Sequence, residues 1–189
     1  MNPLHPLTRW RRNDANAARL YGAIVARARL PVFYQGFGVP DTLEGRFLIL
    51  SLHLFAVLHR LKSEGPDAAG LAQELSNRFG EDMETVLREI GIGDLSIPKK
   101  MRGLAASSAV VLQAYEEALA AGDEPVAAAI GKMLSLEPGP SEAVSGRLAH
   151  YLKAVVRHVE TQSLAALRAG EVSFPGTGPE EELGDELHE

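Results

Sequence analysis

The stretch from Phe47 to Leu61, FLILSLHLFAVLHRL, constrains this chain more than any other. It is apolar nearly all round a helix and is interrupted only by Ser51, His53, His59 and Arg60. A helix without a polar face has to be packed on several sides or lie in lipid. Crossing a bilayer takes about 20 mostly apolar residues, and this run falls short. It is therefore expected to be the buried central helix of an all-α domain. Asp41 and Glu44 stand at capping-box spacing ahead of it, and Gly65-Pro66 follows its expected end near Ser63.

The rest of the composition agrees. The 189 residues suffice for one domain with a substantial core, and Ala and Leu outweigh the β-branched residues that favour strands. There are no cysteines, which removes disulfides, thiolate metal sites, iron–sulfur ligation and cysteine nucleophiles together. The net charge of −6 is concentrated at one end: Glu171 to Glu189 holds seven acidic residues and no Lys or Arg. Without that segment, 18 acidic face 19 basic residues. Basic clusters at Arg9, Arg11, Arg12 and at Lys99, Lys100, Arg102 are too short to imply specific nucleic-acid binding. Met1 to Pro6 lacks the pattern of a signal peptide, and a soluble intracellular protein is expected.

Helical spacing and breakers divide the chain into about seven helices. Residues 1–12 read as a flexible arm. A first helix is expected from Asn13 or Asp14 to Arg29, stopped by Pro31. Residues 31–40, PVFYQGFGVP, read as a connector, followed by the central helix. Two short helices are expected at 66–79 and 81–90, then a turn at Gly91-Ile92-Gly93-Asp94. Further helices are expected from Ser96 to Leu119, from Asp123 to Leu136, and from Ser141 to Ala169, the last with a stripe of Val144, Leu148, Tyr151, Leu152, Val155 and Val159. The helical domain thus spans 13–170, and the acidic segment 171–189 reads as disordered.

Nothing in this pattern runs a reaction. The six histidines form no metal-binding spacing. His53 and His59 lie roughly 240° apart on a helix. Gly36-Phe37-Gly38 and Gly91-Ile92-Gly93 follow no strand and support no nucleotide fold. No haem-ligand motif is visible. No enzyme, no cofactor and no metal site are expected.

The aromatic connector is the unusual feature. Phe33, Tyr34 and Phe37 either plug the core or form an exposed apolar surface beside the central helix, continued by Val39 and the turn to Arg46. Arg46 either pairs with Asp41, Glu44 or Asp94, or meets a partner's carboxylate or a lipid phosphate. Arg88 and Asp94 form an expected ion-pair network around the Gly91 turn. An enzymatic alternative would bring His53, Arg88 and Asp94 together in an apolar cavity.

Ordered blocks of sequence carry a resemblance. They are Ala-Arg-x-Pro-x-Phe-Tyr at Ala28 to Tyr34, Gly-Val-Pro-Asp-Thr-x-x-Gly-Arg-Phe at Gly38 to Phe47, and Leu-Arg-Glu-Ile-Gly-Ile-Gly-Asp-Leu at Leu87 to Leu95. Across about residues 18–102 the chain resembles the ubiquinol–cytochrome c chaperone family. Beyond 102 the likeness weakens, and Ala105 to Val110 replaces an aromatic stretch usual in that family. The resemblance implies an assembly chaperone of the respiratory ubiquinol–cytochrome c reductase, with newly made cytochrome b or another subunit as client. A ribosome or a co-chaperone is a further partner it implies. The expected location is cytoplasmic, in peripheral contact with the inner face of the membrane. The candidate partner-binding residues are Phe33, Tyr34, Phe37, Val39, Asp41, Arg46, Arg88, Asp94, Lys99 and Lys100. The alternative is a helical adaptor for ribosome, RNA or another membrane-protein client.

Overall fold

A computed structural model describes residues 5–102, 113–117, 119, 126–128, 130–131 and 140–177, with only the backbone described for residues 5–14 and 140–142. It is helical, with no strand among the described residues. The helices are α1 (His5–Ala28), α2 (Pro31–Gln35), α3 (Leu43–Ser63), α4 (Pro66–Glu89), α5 (Pro140–Glu160) and α6 (Leu164–Arg168). Residues 97–102, 113–117 and 126–128 are helical as well.

The apolar run forms the hub. Every residue from Leu48 to Val57 is buried, because α1, α4 and α5 all pack against α3. Each fully buried leucine here contributes roughly 1.5–3 kcal/mol by leaving water. The cap of α3 is not Asp41, as its spacing suggested, but Thr42, whose hydroxyl accepts the Gly45 amide at 3.2 Å. Asp41 is turned outward to Arg46 instead. At its far end α3 gives way to Gly65 at φ +66 and Pro66 in the first turn of α4.

Several boundaries differ from expectation. α1 begins at His5, so most of the expected arm of residues 1–12 is helix. The connector at 31–40 contains the helix α2, since Pro31 suits a first turn. The helices expected at 66–79 and 81–90 are one helix, α4. Leu75, Phe79, Met83 and Leu87 recur every four residues across Gly80, and that continuous stripe outweighs the glycine's poor propensity. The last helix, expected to reach Ala169, ends at Glu160 and resumes as α6 behind a new cap, Ser163, whose side chain accepts the Ala166 amide. Gly170 closes α6 at φ +80, where a Cβ would come within 2.7 Å of the Asn16 carbonyl oxygen of α1. The expected stripe of α5 is buried throughout.

Residues 171–177, the start of the segment expected to be disordered, are held against the helices. Ser173 donates its amide to Gln162 Oε1 at 3.0 Å, and its carbonyl accepts from Gln162 Nε2 at 2.9 Å. Phe174 packs edge-on against His53, centroids 5.0 Å apart. Residues 178–189 lie outside the described residues.

Candidate functional site

The connector's aromatics divide between core and surface. Phe33 has no exposed surface and sits among Phe37, His53 and Tyr151, with centroids 5.3 to 5.6 Å away. Of the two roles open to it, it takes the core one. Val39 is buried too. Phe37 is half-buried and reaches the cluster's edge against Tyr151. Tyr34 points the other way, toward α1 and α3, where its hydroxyl donates to the Ala28 carbonyl at 2.9 Å.

Behind Phe33 runs a buried polar chain. The carbonyl of Ile49 can only accept, so His53 Nδ1 carries the proton and donates to it at 2.7 Å. His53 Nε2 then accepts from the Tyr151 hydroxyl at 2.9 Å, and that oxygen accepts from Arg27 Nε at 3.2 Å. Arg27 also donates to the Pro175 carbonyl and lies 5.9 Å above the Phe33 ring. Burial, with Arg27's charge nearby, pushes the His53 pKa down to about 4. The imidazole is thus neutral at physiological pH and acts as a tie between α1, α3, α5 and the C-terminal segment. Arg88 and Asp94 are not near it. They face each other at 3.5 Å on the exposed Gly91 turn, with Glu84 2.6 Å from Arg88. The expected local ion-pair network is present, and the cavity expected for an enzyme is not built from these three residues.

Tyr34 opens onto a groove of about 200 Å³. Val25 and Ala28 of α1, with Arg29 just past its end, form one wall, and Met83 and Val86 of α4 the other. Leu43, Arg46, Phe47 and Leu50 of α3 lie between them. The lining is mainly apolar. Its polar groups are engaged or at the rim: Asp82 accepts from the Tyr21 hydroxyl at 2.7 Å, and Arg46 makes two bonds to Asp41, at 2.6 and 3.1 Å. Burial and Asp82 both raise the Tyr21 phenol, so it stays a neutral donor. The Arg46 guanidinium also lies 5.5 Å from the Tyr34 ring centroid. Arg46 therefore makes the expected structural pair and still stands at the mouth, its side chain 56 % exposed. Leu43 is exposed on the same rim.

The remaining candidates lie elsewhere. Lys99 and Lys100 are exposed at the start of the helix at 97–102, next to Leu95, which is fully exposed. The side chains of Arg9, Arg11 and Arg12 and the divergent stretch Ala105 to Val110 fall outside the described residues. The sequence reading missed the Tyr21–Asp82 and His53–Tyr151 pairs. A lone polar residue on each apolar face was the available signal. No group of three or more potential metal ligands occurs among the described residues, and no described helix is long and apolar enough to cross a membrane.

Fold and site together define a helical domain built on an apolar hub, with a mainly apolar groove that has Arg29 and Arg46 at its edge. The chain belongs to the ubiquinol–cytochrome c chaperone family, whose model matches residues 35–174. That span continues well past residue 102, where the resemblance was expected to fade. Among solved structures, the Cbp3 homolog from Brucella abortus superposes with a TM-score of 0.81 at 38% identity, covering 92% of this chain and 97% of that one. The ubiquinol-cytochrome-c reductase complex assembly factor 1 of Xenopus laevis is 26% identical over 145 residues, 77% of this chain and 72% of that protein. The human protein of the same name is 23% identical over 159 residues, 84% of this chain but 53% of its own length.

Proposed function

We propose that this protein is a non-enzymatic assembly chaperone of the ubiquinol–cytochrome c reductase that shields an apolar segment of newly made cytochrome b. The family match over residues 35–174 carries the reading, and relatives named as assembly factors of that complex support it. The groove between α1, α3 and α4 suits the task. Its apolar lining can take the place of lipid for a short client segment, and Arg29 and Arg46 at its rim can meet a carboxylate or phosphate beside that segment.

The place of action in this reading is the cytoplasm, at the inner face of the membrane. Leu95 supports it: a fully exposed leucine next to Lys99 and Lys100 pairs an apolar anchor with cations that favour an anionic lipid surface. Contact would be peripheral.

Deletion of the gene, followed by measurement of assembled reductase and of the haem b signal in membranes, tests the function. Loss of both with other respiratory complexes intact is the expected result. Unchanged levels would remove the chaperone reading.

A further inference from the structure

The apolar surface of the groove beside Tyr34 continues past its lining. On α4, Met83 and Val86 line the groove. Ile90 follows one turn further on, its amide still bonded to the Val86 carbonyl at 3.1 Å. At about 100° per residue these three side chains fall within roughly 60° of arc, so they form one stripe. Burial falls along it: Met83 is 8% exposed, Val86 is half-buried and Ile90 is 54% exposed. Leu43, which opens α3 and lines the groove, is exposed as well. An apolar strip therefore leaves the groove along α4 and ends in water.

The groove has little to offer a peptide backbone. Tyr34 donates its hydroxyl proton to Ala28, Asp82 holds the Tyr21 hydroxyl, and Arg46 is paired with Asp41. The walls are helices, which bond most of their own backbone groups, and no strand among the described residues presents an edge. An extended segment entering here would take its amides and carbonyls out of water with no replacement partner. An α-helix brings its backbone bonds with it. Of the groove's charged residues, Arg29 alone has no hydrogen-bonded or ion-paired partner among the described residues. It favours one carboxylate on whatever fills the groove.

We infer, on the chaperone reading of this groove, that it takes its client segment as an α-helix. That helix is apolar on one face, lies along Met83, Val86 and Ile90, and carries a carboxylate at the edge of the face that meets Arg29. The stripe from Met83 to Ile90 is about 10 Å long, which matches apolar positions at i, i+3 or i+4, and i+7 of the partner helix. The client thus reaches the groove with its secondary structure formed, and only apolar surface and one charge pair change surroundings.

Two labelled synthetic peptides of identical composition test this against the full chain by fluorescence anisotropy. Each has about 15 residues, since shorter helices are marginal in water. One places its leucines at helical spacing with a single Glu at the edge of that face, and the other alternates them as a strand would. The helical pattern should bind several-fold more tightly. Ile90→Lys and Leu43→Gln should each weaken it, with circular dichroism confirming that both variants fold. Replacing the peptide's Glu by Lys should also weaken binding, and Arg29→Glu in the protein should restore it. Equal affinity for the two patterns, or binding indifferent to Ile90→Lys and to the charge swap, would overturn the inference. So would self-association that Ile90→Lys abolishes with neither peptide bound, since the occupant would then be a second copy. Gene deletion keeps the two readings apart. If deletion abolishes reductase assembly while both peptides bind equally, the helical inference falls and the chaperone reading stands. If the helical peptide binds through Ile90 and Arg29 while deletion leaves the reductase unchanged, the helix site stands and the chaperone reading falls.

Discussion

His53 shows how a single polar side chain is tolerated in an apolar hub. Its two ring nitrogens are satisfied by Ile49 and Tyr151, and only the neutral ring satisfies them in this order. Unfolded, the imidazole titrates near 6.5; folded, it titrates near 4. As pH falls below 6.5 the unfolded chain gains a proton that the folded one refuses. Stability present above 6.5 is therefore lost progressively down to pH 4, by roughly 3 kcal/mol from this group. Urea unfolding across that range should show the loss, and His53→Gln should flatten it. Tyr151→Phe tests the same chain at its centre. It leaves His53 Nε2 without its donor and Arg27 Nε without its acceptor, and should cost about 1–3 kcal/mol at pH 7. A loss too small to measure would mean that water replaces the hydroxyl. The sequence placed His53 in the hub helix but offered no partner, because Tyr151 lies 98 positions away and becomes a neighbour only when α5 packs on α3.

At the scale of elements, two glycines in helices should respond oppositely to alanine. Gly80, inside α4, has nothing within 4 Å of an added Cβ. Gly80→Ala should stabilise by roughly 0.5–1 kcal/mol through helix propensity. Gly45, in the first turn of α3, lies directly under the Pro40 carbonyl, which a Cβ would overlap. Gly45→Ala should destabilise by about 1–3 kcal/mol as the turn shifts. Thermal melts of both variants check the pair, and equal signs would contradict the close approach at Pro40. The C-terminal segment behaves as an element as well. Ending the chain after Gly170 removes Phe174 from His53 and the Pro175 carbonyl from Arg27, and should lower the stability by about 2–4 kcal/mol. Ending it after Thr177 should cost far less. Composition misplaced this boundary: Glu171 and the Pro-Gly pair look like the start of a polar tail, yet Phe174 gains more from burial than its neighbours lose.

Over the whole molecule, one connector lines two cavities: Tyr34 belongs to the groove, and Val32, Gly36 and Phe37 to a cleft against α5. Arg46→Glu probes the first surface. It replaces an exposed ion pair with a like-charge contact to Asp41, worth no more than about 1 kcal/mol, so the fold should persist while reductase assembly falls. Circular dichroism and the level of assembled complex separate the two effects. Loss of the fold would instead make Arg46 structural and remove it from the client surface.

The sequence by itself determined that α3 is the hub, since an unbroken apolar run leaves a helix no face for water. It also determined the helical class, the buried stripe of α5, the ion-pair lock at Gly91 and the family. Those features rest on local spacing, which a chain carries wherever it folds. Only the tertiary structure decided that Phe33 is core while Tyr34 faces a groove, that Asp41 pairs with Arg46 while Thr42 caps, and that His53 is tied to Tyr151. Neighbouring residues on a short helix such as α2 point to different sides, and which side is buried depends on where α1, α3 and α5 pack.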